Sequence, residues 1–148
     1  MNPEKFFREL NIRGEKLGVF FGPQTLLSNS RQAMEGGEFA KEAGRYEAYH
    51  EAIFKSFFTD GRDIGDREVI LQAARSAGLE ENEFKKALDS HTYLPRIEKT
   101  SQMARQLGIK VAPTFIIRGY GKITGAPSIE RFRSAFSEAA GNTASGGG

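Results

Sequence analysis

Val111-Ala112-Pro113-Thr114-Phe115-Ile116-Ile117 is the one stretch of this chain in which a run of β-forming residues directly follows a proline. Proline has no amide hydrogen and disfavours helical geometry in the residue before it. Residues 111–113 are therefore predicted to form a loop, and Thr114 to begin a strand. Apolar side chains occupy both alternating faces of this strand. The pattern is typical of a strand covered by helices on both sides, in a parallel or mixed sheet.

The peptide bond before Pro113 is the feature of this stretch that bears on function. One interpretation is simply a loop, a trans proline and a buried strand. The other is a cis proline that lines a binding groove. From the residues alone the first is favoured, because only roughly one X–Pro bond in twenty is cis in folded proteins.

Composition limits the partners and the location of the protein. Its 148 residues suit one domain with a real core. The 21 basic and 19 acidic residues are scattered along the chain, so no polybasic run indicates nucleic acid or an anionic membrane as a partner. No window is long enough to span a membrane, and residues 1–5 lack the pattern of a secretory signal. A cytoplasmic protein is expected.

Cysteine is absent from the chain. Its absence excludes a disulfide framework, a thiolate zinc site and a cysteine nucleophile carried by these residues. The two histidines, His50 and His91, leave few ligands for a metal, and no metal site is predicted. His50 falls on the apolar face of a predicted helix and is assigned a packing role. His91 lies in a loop without a second histidine or cysteine at metal spacing.

Helical periodicity dominates the chain before residue 108, while Val19-Phe20-Phe21 is left irregular. One predicted helix has an inner face of small residues, which is either a close-packed contact or a locally weak helix. The predicted helices cover residues 3 to about 14, a start at 28–30 to about 43, 45–58, 67–77, 81–88, and a start at 92 or 93 to about 107. Asp66 is the predicted cap of the helix over 67–77, and the predicted stops are Gly44, Gly78 and Gly108. The small residues are Ala33, Gly36, Gly37 and Ala40.

A β-hairpin and a final helix are predicted after residue 108. Gly119-Tyr120-Gly121 forms the turn between the strand at Thr114 and a second strand at residues 122–124. Ser128 caps the last helix, and a flexible tail follows from residue 141. The side chains predicted to face inward from this helix are Ile129, Phe132, Phe136 and Ala139.

The predicted sheet is incomplete, because an isolated two-stranded hairpin is at best marginally stable. Three explanations stay open. Another copy of the chain supplies the missing strands, residues 19–21 supply a strand to the sheet, or the chain is the C-terminal portion of a longer α/β domain. The last is favoured.

Seven short motifs, taken together, resemble the DsbA-like thioredoxin family, specifically the cytoplasmic FrnE-type dithiol-disulfide isomerases and the neighbouring 2-hydroxychromene-2-carboxylate isomerases. The resemblance covers most of the chain. The motifs are Ser28-Asn29-Ser30-Arg31 through Glu38-Phe39-Ala40, Tyr49-His50-Glu51-Ala52-Ile53-Phe54, Gly61-Arg62-Asp63-Ile64, Ala77-Gly78-Leu79, Gly108-Ile109, Ala112-Pro113-Thr114-Phe115-Ile116 and Ile123-Thr124-Gly125-Ala126.

The resemblance implies an α/β, thioredoxin-like (DsbA-like) fold with a large helical insertion, here without its N-terminal βαβ portion. The chain is then mostly helical, with a C-terminal β-hairpin and a final helix. Residues 1–140 form a single domain, of which 1–107 are the helical portion and 108–140 the hairpin and helix of the thioredoxin core. Residues 141–148 form the tail.

The resemblance also implies a substrate-binding site at Ala112, Pro113 and Thr114. Pro113 matches the family's cis-proline, and the backbone of Ala112 matches the group that hydrogen-bonds an extended substrate. Family members carry a C-x-x-C motif that this chain lacks, so no catalytic residue is predicted. Disulfide exchange requires a thiolate, and these residues cannot perform it alone.

The resemblance, together with the missing C-x-x-C motif, leaves three functions open. The first is a portion of a protein thiol-disulfide oxidoreductase or isomerase that binds an extended peptide or a protein thiol. The second is a non-catalytic module that binds a peptide, or forms a homodimer through the open sheet edge. The third is a relative of the glutathione-dependent isomerases. Apart from glutathione, no cofactor is expected.

Overall fold

The computed structural model describes residues 3–22 and 27–144, which form seven α-helices and one β-hairpin. None of the described helices combines the length and the apolar composition needed to cross a bilayer. The chain divides into two compact units, Met1–Glu98 and Lys99–Gly148. The elements are α1 (Pro3–Glu15), α2 (Arg31–Glu42), α3 (Tyr46–Phe54), a π-helical turn (Lys55–Thr59), α4 (Arg67–Ser76), α5 (Glu81–Asp89), α6 (Leu94–Gln106), β1 (Thr114–Ile117), β2 (Gly121–Thr124) and α7 (Ile129–Ala144).

The helix ends follow the local signals in the sequence. The Asp66 side chain accepts a hydrogen bond from the Glu68 amide at 2.9 Å and so caps α4, as predicted. The Glu80 carboxylate caps α5 by accepting from the amides of Asn82 and Glu83. The predicted helix stops at Gly44, Gly78 and Gly108 are confirmed, because each of these residues has a positive φ immediately after a helix.

The core of the first unit forms where α2 packs against α3, α4 and α5. Its most deeply buried side chains include Tyr49, Phe84 and Ile70. The small-residue face of α2 is buried, and the Tyr49 hydroxyl donates to the Ala33 carbonyl at 3.2 Å. The structure therefore decides between the two interpretations of this face in favour of a close-packed contact.

The two strands pair in antiparallel fashion, with Thr114 opposite Thr124 and Ile117 opposite Gly121. The predicted hairpin is confirmed. The prediction that β1 is buried on both faces of a parallel or mixed sheet is wrong for the described residues, because β2 is its only strand neighbour there. Phe115 is 37% exposed and Ile116 is 55% exposed. Local apolar character did not reveal how little of the strand is covered.

Two predicted features of the C-terminal helix also differ from the structure. Ile129 and Phe136 were predicted to face inward but are exposed, since only a narrow strip of α7 meets the hairpin. The inward positions are Phe132, Ala135 and Ala139. Helix α7 continues to Ala144, beyond the predicted start of the tail at residue 141. Residues 145–148 of that tail lie outside the described residues.

Residues 19–21 form no strand, so they do not complete the sheet. The Asn11 side chain instead accepts from the Phe21 amide at 2.7 Å and donates to the Phe21 carbonyl at 2.9 Å. Helix α3 is also shorter than predicted. It ends at Phe54, and the remaining predicted residues form the π-helical turn.

Replacing Gly36 by alanine should destabilise the fold. A Cβ at this position would meet the Tyr49 hydroxyl and would lie 2.7 Å from Cζ of Phe84, well inside van der Waals contact. We expect a loss of roughly 1–3 kcal/mol in the free energy of unfolding, measured by urea denaturation followed by circular dichroism.

Gly37→Ala is the matched control on the same helix. Its Cβ would lie 3.7 Å from the nearest atom of Tyr46, an ordinary contact. We expect no loss, and a gain of up to about 1 kcal/mol from helix propensity. Equal effects of the two substitutions would contradict the close-packing explanation.

Candidate functional site

The loop before β1 is held by its own hydrogen bonds. The Ala112–Pro113 peptide bond is cis. The Pro113 carbonyl accepts from the Gly125 amide at 2.8 Å, and the Thr114 hydroxyl donates to the Val111 carbonyl. Gly125 has a φ of +80°, which residues with a Cβ rarely adopt. The loop is thus attached to the end of β2 as well as to itself.

The hydrogen-bonding pattern shows which backbone groups face away from β2. In an antiparallel pair the residues of one strand alternate between bonding the partner and pointing away from it. The Pro113 carbonyl accepts from Gly125 at the end of β2, so by alternation the backbone groups of Phe115 and Ile117 also face β2. The amides and carbonyls of Thr114 and Ile116 therefore point towards the other edge. That edge has no strand partner among the described residues.

Ala112 extends this open edge. Both Ala112 and Pro113 are exposed, and Thr114 is half-buried. Within the part of the chain that the structure describes, neither the amide nor the carbonyl of Ala112 takes part in a hydrogen bond. The three predicted site residues therefore lie together at an accessible backbone edge, where an extended segment can add as a further strand.

An apolar groove of about 580 Å³ lies beside this edge. Its aromatic wall is ordered by ring contacts, because Phe132 packs edge-on against Phe115 at 4.8 Å and stacks with Phe136 at 6.3 Å. Arg118 is the charged residue that lines the groove. The groove can accept apolar side chains from a segment that pairs with β1.

The two histidines differ in their surroundings. His50 stacks on Phe54 at 4.1 Å and contacts Tyr46 at 5.3 Å, consistent with its predicted packing role. His91 lies with Nδ1 3.2 Å from Oε1 of Glu35, a fully buried carboxylate. No cluster of three or more candidate metal ligands occurs in the described residues.

Glu35 is not among the candidate residues predicted from the sequence. Helical geometry turns the chain by about 100° per residue, which places Glu35 about 200° from Ala33. Periodicity therefore predicts that Glu35 faces solvent, opposite the small-residue face. In the structure α2 is covered on that side as well, and Glu35 is 0% exposed. No sequence signal identified the covering segment.

A second polar network joins α2 to the start of α6. The Tyr93 hydroxyl donates to Oε2 of Glu42 at 2.6 Å, and the Arg96 guanidinium donates to Glu42 at 2.9 Å and to Glu38 at 3.3 Å. The Tyr93 hydrogen bond, followed by that of Arg96, lowers the pKa of Glu42. The pKa of Glu38 is lowered chiefly by its hydrogen bond with Lys41.

The family model for the DSBA-like thioredoxin domain matches residues 5–137. The uncharacterized protein YwbO of Bacillus subtilis (strain 168) is 35% identical over 127 residues, which cover 84% of this chain and 63% of YwbO. The crystal structure of the probable DsbA oxidoreductase SCO1869 from Streptomyces coelicolor matches with a TM-score of 0.80 at 25% identity. That match covers 93% of this chain and 60% of the other. This chain thus spans less than two thirds of either protein.

Thr114→Val should loosen the proline loop, because it keeps the β-branched shape but removes the hydroxyl that donates to Val111. A hydrogen bond of this kind contributes about 1 kcal/mol. We expect hydrogen exchange at the Gly125 amide to become about fivefold faster, the factor that corresponds to this energy. The measurement is amide exchange by NMR.

Thr124→Val is the control, since Thr124 lies directly opposite Thr114 in the hairpin and is exposed. Exchange at Gly125 should stay at its original rate in this variant. An acceleration of the same size in both variants would show that the loss of any hairpin threonine, rather than the bond to Val111, is responsible.

Tyr93→Phe should raise the pKa of Glu42 towards its ordinary value, because the hydrogen bond that contributes most to lowering it is removed. The pKa of Glu38 should change little, since Lys41 is its main partner. A carboxyl group whose pKa is lower in the folded state stabilises that state at pH values above the pKa it has in the unfolded chain. This contribution disappears as the pH falls through the pKa of the folded state. Carboxyl chemical shifts followed by NMR over the acidic range test both residues in one sample. A shifted Glu38 with an unchanged Glu42 would contradict the assignment.

Proposed function

Because this chain belongs to the DsbA-like thioredoxin family, we propose that it is the substrate-binding portion of a protein thiol-disulfide oxidoreductase or isomerase. The substrate is an extended peptide or a protein thiol held at Ala112, Pro113 and Thr114. The observation that carries the proposal is the exposed backbone of Ala112, without a hydrogen-bond partner in the described residues, beside the cis bond to Pro113.

Binding and chemistry are separate in this proposal. Thiol-disulfide exchange begins when a thiolate attacks one sulfur of a disulfide, and the other sulfur leaves as a thiolate. The chain has no cysteine, so residues outside this sequence provide the attacking thiolate. The loop contributes position: it holds the substrate backbone so that a neighbouring substrate sulfur can meet that thiolate.

The open edge of β1 supports recognition of extended segments with little dependence on their sequence. Main-chain hydrogen bonds supply affinity in this mode, and pockets for alternate side chains supply selectivity. The groove lined by Phe115, Phe132 and Phe136 supports a preference for apolar side chains. Within the family, the finer assignment we propose is a FrnE-type isomerase that acts in the cytoplasm, without a metal.

A non-catalytic module is the second candidate, favoured by the same unpaired edge. Here β1 binds a peptide, or pairs with β1 of a second copy to form a homodimer. Sedimentation analysis distinguishes the dimer, because the oxidoreductase portion is expected to bind peptide as a monomer. A relative of the glutathione-dependent isomerases would instead bind glutathione, and calorimetry measures that directly.

Ala112→Pro tests the peptide site, because it removes the exposed amide without adding charge. The probe is a synthetic decapeptide with alternating apolar and polar residues and one alkylated cysteine. We expect the wild-type chain to bind it, and the variant to bind at least about tenfold more weakly, a loss of about 1.4 kcal/mol. Affinity is measured by calorimetry, and the amide shifts of Thr114 and Ile116 locate the contact.

Ala126→Pro is the matched control, since Ala126 is also exposed and also precedes a proline, Pro127, in the same unit. Its affinity for the probe should equal that of the wild type. Undiminished binding by Ala112→Pro, or no detectable binding by the wild type, would refute the proposed site.

A further inference from the structure

The two units of the chain differ in charge. Although the sequence contains no basic run, Lys99–Gly148 has seven basic and two acidic residues. Met1–Glu98 has 14 basic and 17 acidic residues. From Lys99 to Ile129 the sequence contains no aspartate or glutamate. The excess of positive charge therefore belongs to the unit that carries the proline loop, the hairpin and the groove.

Ion pairs do not neutralise this positive charge. All the ion pairs between described residues lie before residue 99. The two acidic residues of the C-terminal unit, Glu130 and Glu138, lie on α7, and neither lines the groove. Lys122 donates to the Leu107 carbonyl, so one of the cations is held at the end of α6. The other basic residues of the hairpin and its loop keep their charge available to a partner.

Arg118 is the cation best placed to meet a segment bound at the open edge of β1. It is exposed, it follows β1 directly, and it lines the groove together with Phe136. Within the described residues the guanidinium of Arg118 takes part in no hydrogen bond, ion pair or ring contact. Arg131, by contrast, lies over the ring of Tyr120 at 5.7 Å. An arginine with unused donors beside an apolar groove suits a ligand that carries a carboxylate next to an apolar side chain.

We propose that the site selects acidic extended peptides. The edge of β1 pairs with the peptide backbone, the groove takes an apolar side chain, and Arg118 binds the carboxylate of a neighbouring aspartate or glutamate. This inference rests on the proposed function, since it names the class of peptide that the same site prefers. Arginine binds a carboxylate through two parallel hydrogen bonds, which add direction to the attraction between the charges. Like charges disfavour basic peptides at the same place.

Nucleic acid is the other anionic polymer that a basic surface attracts, and the groove suits it less well. Binding to a phosphate backbone depends on several cations that follow the strand. Among the described residues that line the groove, Arg118 alone is charged. The unpaired backbone of Thr114 and Ile116 instead offers the hydrogen bonds that an extended peptide requires. A peptide is therefore the ligand that the observations favour.

Three versions of the decapeptide with the alkylated cysteine test the proposal. They differ only in the polar residues, which are glutamate, glutamine or lysine. We expect the wild-type chain at about 0.1 M salt to bind the glutamate version about fivefold more tightly than the glutamine version, the upper end of what one exposed ion pair contributes. The lysine version should bind most weakly. At about 1 M salt, where the screening length is about 3 Å, the preference should largely disappear.

Arg118→Gln should reduce the ratio of the glutamate-peptide to the glutamine-peptide affinity to about one. Arg118→Lys keeps the charge but loses the paired donors, so an intermediate ratio is expected. Arg105→Gln is the matched control, because it removes the same charge from α6 and Arg105 does not line the groove. This control should keep the wild-type ratio. All affinities are measured by calorimetry.

The outcomes separate this inference from the proposed function. Equal affinities of the wild-type chain for the glutamate and glutamine versions overturn the acidic preference and leave the peptide site standing. A loss of preference in Arg105→Gln as large as in Arg118→Gln also overturns it, since net charge rather than the groove is then responsible. Failure of the wild-type chain to bind any of the three peptides refutes the proposed function and this inference together. A single-stranded thymidine decanucleotide that binds more tightly than the glutamate version and displaces it would assign the basic surface to nucleic acid instead.

Discussion

The absence of a side chain at Gly36 is the constraint on which the packing of the helical unit depends. Tyr49 of α3 and Phe84 of α5 both occupy the space that a Cβ would take, so α2 lies at close range to both helices. The rings then order their neighbours, with Phe84 packed against Phe39 at 5.3 Å and against Tyr49 at 5.7 Å. On the opposite side of the same helix Glu35 is also fully buried, and its Oε1 lies 3.2 Å from Nδ1 of His91.

The candidate site of the C-terminal unit is formed by backbone groups, whereas the first unit is held together by side-chain packing. Its candidate site consists of Ala112, Pro113 and Thr114, whose side chains carry no charge and only one hydroxyl. That hydroxyl donates to the Val111 carbonyl within the same loop. Recognition at such a site depends on the direction of amides and carbonyls, which the pairing of β1 with β2 determines. This explains how a chain without cysteine can keep the binding half of a thiol-disulfide site in the form that we propose.

Much of the fold and part of the site could be predicted. The stops at Gly44 and Gly78 and the cap at Asp66 were identified because capping is local chemistry. The hairpin followed from Pro113 and the glycine-bracketed turn. The errors concern which apolar side chains are buried. Periodicity identifies the apolar residues Phe115, Ile116 and Phe136, but it does not reveal whether another element packs over them. Glu35 shows the opposite case, since its position on the helix, away from the small-residue face, favours exposure, whereas the structure buries it completely.

By itself the sequence determined the succession of helices and strands, the family to which the chain belongs, and the place of the proline loop, because each rests on local residue chemistry or on motifs in order. Only the tertiary structure decided that the edge of β1 beyond β2 is open within the described residues, and that His91 meets Glu35. These two features join or separate groups that are far apart along the chain. They arise from the packing of whole helices and strands, which cannot be inferred from a local pattern of residues.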